Sequence, residues 1–96
     1  TDIFHVIIYY MNIDELIANV KKKLNKNINI EKILIEDKTF LHKKHPGHES
    51  NKFHLKISIV SDELKKFNKI ESNKKIYKIL DEELKKYIHS LQILIN

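Results

Sequence analysis

Histidine is the residue type in this sequence with the greatest capacity for metal chemistry, because the chain has six histidines and no cysteine. His42, His45 and His48 recur at every third position of a polar stretch, and His89 stands before Ser90 in an apolar run near the end. Imidazole nitrogen is a good ligand for iron, zinc and copper. These residues could therefore bind a metal, but any thiolate ligand must come from another molecule.

The histidines of the polar stretch allow two interpretations. One of them could be delivered to a metal site that a partner shares, or the group could bind a divalent ion weakly. A preformed three-histidine zinc site is disfavoured, because nothing in the pattern holds the side chains in place. His54 alternates with apolar residues, so we expect it to be solvated, and His5 has no partner that the sequence identifies. For His89, the alternative to a metal ligand is a half-exposed strand residue making an ordinary hydrogen bond.

Catalysis finds little support in the sequence. The chain lacks the patterns of a nucleophile elbow, a phosphate-binding P-loop, a zinc-protease helix and a dinucleotide-binding loop. Asp81, Glu82 and Glu83 are acidic, but consecutive residues of a helix fan out and do not form an acid–base pair. The sequence therefore predicts a protein that binds and does not catalyse.

The positive charge of the chain comes from lysine alone: eighteen lysines and thirteen acidic residues give a formal net charge of +5. Lys74, Lys75 and Lys78 of a predicted helix, together with residues 21–23, are candidates for phosphate contacts. The alternative is a solvated, charged helix face. Lysine has no planar fork like that of arginine, so bidentate recognition of guanine is not available to this chain.

The elements that must position these residues begin at Asn12. Asn12 and Glu15 have the spacing of a capping box. The apolar residues that follow at helical spacing are Ile13, Leu16, Ile17, Val20 and Leu24. The sequence therefore predicts a first helix here, and the β-branched run of residues 33–36 predicts a first strand.

A long exposed loop is predicted over residues 37–52, since this polar stretch holds the one proline and the one glycine of the chain, Pro46 and Gly47. After it, apolar and polar residues alternate over residues 53–59. The alternation predicts a second strand with one buried face and one solvated face. Phe53 is expected on the buried face.

Two helices and a strand are predicted in the last third of the chain. Ser61 is a suitable N-cap for a short helix over residues 62–67. Helical spacing of apolar residues predicts a longer helix over residues 72–86, with Tyr77 in the core. Residues 88–95 predict the third strand.

The predicted order is αββααβ, which indicates an α+β fold with a three-stranded mixed sheet and helices on one face. That order matches a type II KH-like arrangement. We divide the chain into an apolar N-terminal extension, residues 1–11, and one domain, residues 12–96. The extension is too short to span a membrane. It could instead add a strand, or form an interface in a structural homo-oligomer.

Five segments of this sequence resemble the BolA family. They are residues 34–37, 42–50, 55–61, 76–84 and 88–91. In that order they resemble the acidic end of the family's first strand, its H…P.G.E.S loop, its F-K-V-x-I-V-S strand, its V-Y-x-x-L-x-x-E-L helix and its I-H-A-L strand. The order and spacing of the segments make the resemblance more specific than any one of them.

BolA proteins pair with monothiol glutaredoxins of the CGFS type and share a [2Fe–2S] cluster with the glutaredoxin cysteine and a glutathione thiol. The resemblance implies that His89 is one ligand, from the I-H-A-L motif, and that a loop histidine is the second. Counting from the first strand gives His42, and counting back from the second gives His45. It also implies that the chain alone binds no cluster, and we expect the isolated chain to be a monomer.

The sequence departs from the family pattern at two places. The R-H-R triplet that opens the long helix is replaced by Ser72, Asn73 and Lys74, and a glycine after the second strand is replaced by Lys66. The triplet contributes to a basic surface linked to docking and nucleic acid, so its loss weakens nucleic-acid binding more than cluster binding. The leading hypothesis is a non-enzymatic adaptor in iron–sulfur trafficking or iron sensing, mitochondrial or cytoplasmic. The alternative is a nucleic-acid-binding, transcription regulator-like module of KH type.

Overall fold

The computed structural model describes residues 12–39 and 52–96 of the chain. The elements of these residues, in chain order, are α1 (Ile13–Asn27), β1 (Lys32–Asp37), β2 (Phe53–Val60), α2 (Asp62–Lys65), α3 (Lys69–Ile79), α4 (Asp81–Lys86) and β3 (Ile88–Ile95). The predicted N-terminal extension and most of the predicted loop lie outside the described residues. Within the described ranges, no helix has the length and apolar character needed to cross a bilayer.

Helix α1 begins where the capping pattern predicts. The side-chain oxygen of Asn12 accepts the backbone N–H of Glu15 at 2.8 Å, and the amide of Asn12 donates to the Glu15 carboxylate at 3.2 Å. The first bond satisfies a backbone donor that the first helical turn leaves without a partner, and the second links the two side chains. Leu16, Val20 and Leu24 then lie on one stripe of the helix and are fully buried.

The sheet has the order β1-β2-β3 and is mixed, as predicted. Strand β1 runs antiparallel to β2, with Ile35 opposite Ile57, and β2 runs parallel to β3. Because side chains alternate across a strand, Leu55, Ile57 and Ile59 all project to one face of β2. These three side chains are at most 2% exposed, so they form the centre of the core.

The helices pack on that buried face of the sheet. The core joins the buried side chains of β1, β2 and β3 with those of α1, α2 and α3 in one cluster. The opposite face, which we call the outer face, carries Leu34, Lys56, Ser58 and Leu94. Leu34 is 57% exposed and Leu94 is 44% exposed. The predicted one-sided arrangement is therefore confirmed, whereas the comparison with type II KH domains stays a prediction.

The long helix predicted over residues 72–86 is wrong in its start and in its continuity. Helix α3 begins at Lys69, because Asn68 caps it: the Asn68 side-chain oxygen accepts the backbone N–H of Glu71 at 2.8 Å. The Asn68 amide also donates to the Glu71 carboxylate at 2.8 Å. This is the same Asn-x-x-Glu spacing that starts α1, so the sequence carried the signal for the earlier start.

The chain leaves helical geometry at Leu80, with φ −97° and ψ 17°, and a new helix starts at Asp81. Leu80 is fully buried, so the break occurs at a core position. Asp81, Glu82 and Glu83 occupy the first turn of α4. Negative side chains stabilise the start of a helix by interacting with its dipole, so the acidic triplet favours a fresh start at this point. The observed order is therefore αββαααβ.

Tyr77 was predicted in the core, and this is wrong. Its side chain is 42% exposed, and its hydroxyl donates to the backbone carbonyl of Leu91 at 3.2 Å. A tyrosine can keep its ring at the surface when its hydroxyl reaches a backbone acceptor of a neighbouring strand. Phe53 is half-buried and packs against the core, as predicted.

A buried carboxylate joins α4 to α1. Glu83 is 2% exposed, and its oxygens accept the Asn19 amide at 2.8 Å and the Lys23 ammonium at 2.7 Å. The hydrogen bond to Glu83 raises the pKa of Lys23 above its usual value, and burial opposes this effect. The Glu83 carbonyl also accepts the backbone N–H of Tyr87, the residue before β3. This clamp therefore fixes the helix that leads into the third strand.

A second carboxylate joins three segments near the other end of the core. Glu63 of α2 accepts the backbone N–H of Asn29 at 3.2 Å and the ammonium of Lys75 in α3 at 3.0 Å. The Lys75 hydrogen bond, and after it the Asn29 N–H, lower the pKa of the Glu63 carboxyl below its usual value. Ser61, fully buried beside it, donates to the Asn29 carbonyl at 2.7 Å and caps α2.

We expect Glu83→Ala to lower the free energy of unfolding by about 1–3 kcal/mol, because two donors lose a charged acceptor in a partly buried site. Glu83→Gln should lose less, since an amide oxygen can still accept from Asn19. The matched control is Glu82→Gln, which changes the exposed neighbour and should cost clearly less than Glu83→Ala. Urea unfolding of the three variants measures the difference, and equal losses at both positions would contradict the clamp.

The lowered pKa of Glu63 predicts an acid dependence of stability. A carboxyl whose pKa is lower in the folded chain stabilises the fold above its unfolded pKa, and this stabilisation is lost as the pH falls through the folded value. The urea concentration at the unfolding midpoint should therefore decrease as the pH is lowered below about 5. Glu63→Gln and Lys75→Met should each reduce this fall. The prediction is wrong if both variants keep the full acid dependence of the wild type.

Candidate functional site

The site that the sequence points to lies where α4 passes into β3. Tyr87 and Ile88 at this junction are buried, 8% and 2% exposed. The Tyr87 carbonyl accepts the backbone N–H of Phe53 at 2.8 Å, which ties the junction to the start of β2. The first residues of β3 are therefore held both by the core and by the neighbouring strand.

The pairing of β2 with β3 is irregular at this point. Phe53 pairs with Ile88, but the next residue, His54, pairs with Ser90. One residue of β2 therefore faces two residues of β3, and His89 is the extra residue, as in a β-bulge. A bulge interrupts the alternation of side chains, so that Ile88 is buried while His89 and Ser90 are both exposed. The bulge thus presents His89 at the surface.

His89 does not stand alone at this surface. Its ring centroid lies 5.0 Å from the ring centroid of His54, with the two ring planes inclined at 59°. His54 lies in the β2–β3 ladder, and His89 lies at the bulge between two residues that pair with β2. Chemically, His89 offers an accessible nitrogen ligand to a metal or a hydrogen bond to a partner.

The predicted solvation of His54 is wrong, because the side chain is only 6% exposed. Its Nδ1 lies 2.6 Å from the Ser90 hydroxyl, within a hydrogen bond whose donor depends on the tautomer. The alternation of β2 gives the correct face for His54. It does not reveal the burial, because alternation within one strand carries no information on which residues cover the side chain.

The backbone of His54 is bonded to the end of β1 as well. Its N–H donates to the Thr39 hydroxyl at 3.1 Å, and its carbonyl accepts the N–H of Lys38 at 2.7 Å. The Thr39 hydroxyl in turn donates to the Asp37 carboxylate. The chain leaves the described residues at Thr39 and re-enters them at Lys52, so both ends of residues 40–51 lie close to His54 in space or in sequence.

The other predicted ligands cannot be placed beside His89. His42 and His45, with His48, lie outside the described residues, so their assignment stays a prediction. Within residues 12–39 and 52–96 there is no group of three or more histidine, aspartate or glutamate side chains that could hold a metal ion. Among the described residues, His89 is an exposed imidazole that could serve as one ligand.

The predicted phosphate-contacting lysines of α3 differ in their surroundings. Lys75 is paired with Glu63 at 3.0 Å, and its ammonium lies 5.2 Å from the centroid of the Phe67 ring. Lys74 and Lys78 are exposed. Lys75 therefore has a structural role, and the two exposed lysines remain the better candidates for contacts with an anion.

Two curated proteins are similar to this chain in sequence. The "DNA-binding transcriptional regulator BolA" of Haemophilus influenzae is 34% identical over 74 residues, which are 77% of this chain and 69% of that protein. "Protein BOLA1, chloroplastic" of Arabidopsis thaliana is 27% identical over 84 residues, which are 84% of this chain. The match spans 52% of the plant protein, about half of its length.

The fold has solved relatives as well. The BolA domain of SufE1 from Arabidopsis thaliana matches with a TM-score of 0.70 and 28% identity, covering 82% of this chain and 87% of that domain. The family model for BolA-like proteins matches residues 24–96, a range that contains both strands of the candidate site. With the sequence relatives and the shared fold, this match shows that the chain belongs to the BolA-like protein family.

Proposed function

We propose that this chain is a non-enzymatic adaptor that binds a [2Fe–2S] cluster jointly with a monothiol glutaredoxin, for cluster delivery or iron sensing. His89 supplies an imidazole ligand, and His42 or His45 supplies a second. The glutaredoxin cysteine and a glutathione thiol complete the ligand set. The observation that carries the proposal is the exposed imidazole of His89 at the bulge of β3.

The geometry of the strands supports a second ligand from residues 40–51. This segment follows Thr39, two residues beyond β1, whose hydroxyl accepts the backbone N–H of His54 at 3.1 Å. It returns at Lys52, immediately before β2. Thr39 and Lys52, the described residues on either side of this segment, adjoin His54 in space and in sequence, which favours a second ligand from this part of the chain.

The ligand chemistry supports a partner that brings sulfur. Iron–sulfur clusters are usually held by cysteine thiolates, and histidine replaces cysteine in mixed sites. This chain has no cysteine, so it can contribute nitrogen ligands only. When bound, the cluster would supply a redox centre and transferable iron. The residues of this chain would orient the cluster and set part of its potential.

The proposal predicts that His89→Ala changes the visible absorption and circular dichroism of a mixture with a cluster-loaded CGFS glutaredoxin. Removal of an imidazole ligand alters the charge-transfer bands of the iron to which it binds. Gln92→Ala is the matched control, because Gln92 is an exposed residue of the same strand. If the spectra of wild type and His89→Ala are the same, the ligand assignment is wrong.

Three further variants sharpen the same experiment. Histidine ligation raises the potential of a cluster relative to thiolate ligation, so His89→Cys should retain the cluster and lower its reduction potential. His42→Ala and His45→Ala, measured separately, identify the second ligand by the one that reproduces the spectral change. A wild-type spectrum in both variants would exclude His42 and His45 as the second ligand.

A second candidate function is nucleic-acid binding, which the printed name of the Haemophilus influenzae relative and the exposed Lys74 and Lys78 favour. The lysines of α3 would contact phosphates and so bind without sequence readout. The absence of arginine from the chain argues against specific recognition of guanine. We therefore rank this function below cluster binding.

If this second function holds, duplex DNA should bind at about 50 mM salt, and log affinity should fall with log salt by about 0.9 for each phosphate contacted. Lys74→Ala and Lys78→Ala should each weaken binding and reduce that slope by about 1. Lys85→Ala, which changes an exposed lysine of α4, is the control. Fluorescence anisotropy measures the affinity, and no binding at the low salt concentration would remove this candidate.

A further inference from the structure

We propose that Ser90 and His54 form a positioning pair that orients the imidazole of His89 for ligation. This inference rests on the proposed function, because it concerns how the ligand is held ready for the cluster. His54 and Ser90 are given no role as ligands. Their role is to restrict the side chain of His89 before any partner binds.

The pair connects a buried ring, His54, with an exposed ring, His89. His54 is 6% exposed, and its backbone is bonded to Thr39 and Lys38 of the β1 end. Its Nδ1 meets the Ser90 hydroxyl at 2.6 Å, which fixes the plane of the ring. The fixed ring then lies 5.0 Å from the ring of His89. A rigid imidazole is thus placed against a solvent-exposed one.

The bulge is the reason that this arrangement is possible. In a regular parallel ladder, the residue after Ile88 would pair with His54, and the next would follow one step along β2. Here Ser90 pairs with His54, and the inserted residue is His89. The hydroxyl and the imidazole are therefore both brought to one buried ring, although they are consecutive in the sequence.

Ser90 is the one residue of the pair at which this chain departs from the motif that it resembles. The I-H-A-L motif that residues 88–91 resemble has alanine at the position of Ser90, and alanine cannot bond to an imidazole. The chain therefore has a hydrogen bond that the motif does not require. An exposed residue that serves only solubility does not need a 2.6 Å bond to a buried ring.

The pair reduces the conformational freedom of the His89 side chain. A free histidine side chain rotates about two bonds, and ligation must immobilise it at a cost in entropy. Contact with a fixed ring removes part of that freedom in advance. Residues that orient a metal ligand in this way commonly change metal affinity by 10–100-fold when they are mutated. We therefore expect the pair to act on the affinity for the cluster-loaded partner.

The first test uses the isolated chain and needs no cluster. Ser90→Ala removes the hydrogen bond at an exposed position, and His54→Asn keeps an amide near the place of Nδ1 but removes the ring. Side-chain couplings and ring ¹⁵N shifts of His89, measured by NMR, should show averaging over more rotamers in both variants, and more strongly in His54→Asn. Gln92→Ala should retain the wild-type values. Unchanged His89 values in both variants would overturn the inference.

The second test measures affinity for a cluster-loaded CGFS glutaredoxin. We expect Ser90→Ala to weaken binding by up to about tenfold, with the spectrum of the bound cluster retained, because the ligand is still present. His54→Asn should weaken binding more. Wild-type affinity in both variants, together with an altered spectrum in His89→Ala, would overturn the positioning role and leave the proposed function standing.

The two tests separate the failure of the inference from the failure of the proposed function. A wild-type spectrum in His89→Ala would remove His89 as a ligand and overturn the proposed function. Amide spectra of the variants serve as the control for folding. Ser90→Ala keeps the comparison valid if His54→Asn loses its fold, since Ser90 is exposed and its change creates no cavity.

Discussion

Strand β3 runs parallel to β2, and the chain must therefore travel back along the sheet between the end of one strand and the start of the other. Helices α2, α3 and α4 make this return, and the apolar side chains of β2 are buried beneath them and α1. The N-terminal ends of β2 and β3 lie side by side as a result. Phe53, His54 and His89 meet at these ends, so the candidate site is a direct product of the parallel pairing.

Most of the fold could be predicted because its signals are local. The capping spacing of Asn12 with Glu15 and the alternation within β2 involve residues within one turn or one strand. The predicted long helix is wrong at its start, because Asn68 and Glu71 carry a capping signal of the same kind, and wrong in its continuity, because a local pattern continues across a break. Ile76, Leu80 and Leu84 keep helical spacing through Leu80, so periodicity alone cannot show that one helix ends there.

The candidate site was predictable only in part. His89 was identified by the motif around it, because physical reasoning from the sequence alone also allowed an ordinary strand histidine. His54 was assigned to the correct face and to the wrong environment. Its partners include Ser90 and His89, which are distant in sequence and lie beside it at a bulge. No pattern within β2 or β3 predicts the shift in the register between the two strands.

The Glu83 clamp has a consequence for the cooperativity of the molecule. The carboxylate of Glu83 joins α4 to α1, and its backbone carbonyl accepts the N–H of Tyr87. The carbonyl of Tyr87 in turn accepts the N–H of Phe53. A continuous series of hydrogen bonds thus connects the packing of α4 on α1 with the start of β3 and the start of β2. Opening of the backbone at this end of the sheet breaks hydrogen bonds of this series. We therefore expect the amide hydrogens of Tyr87 and Phe53 to exchange slowly, and a bound partner to be accommodated by side chains more than by the backbone at this end of the sheet.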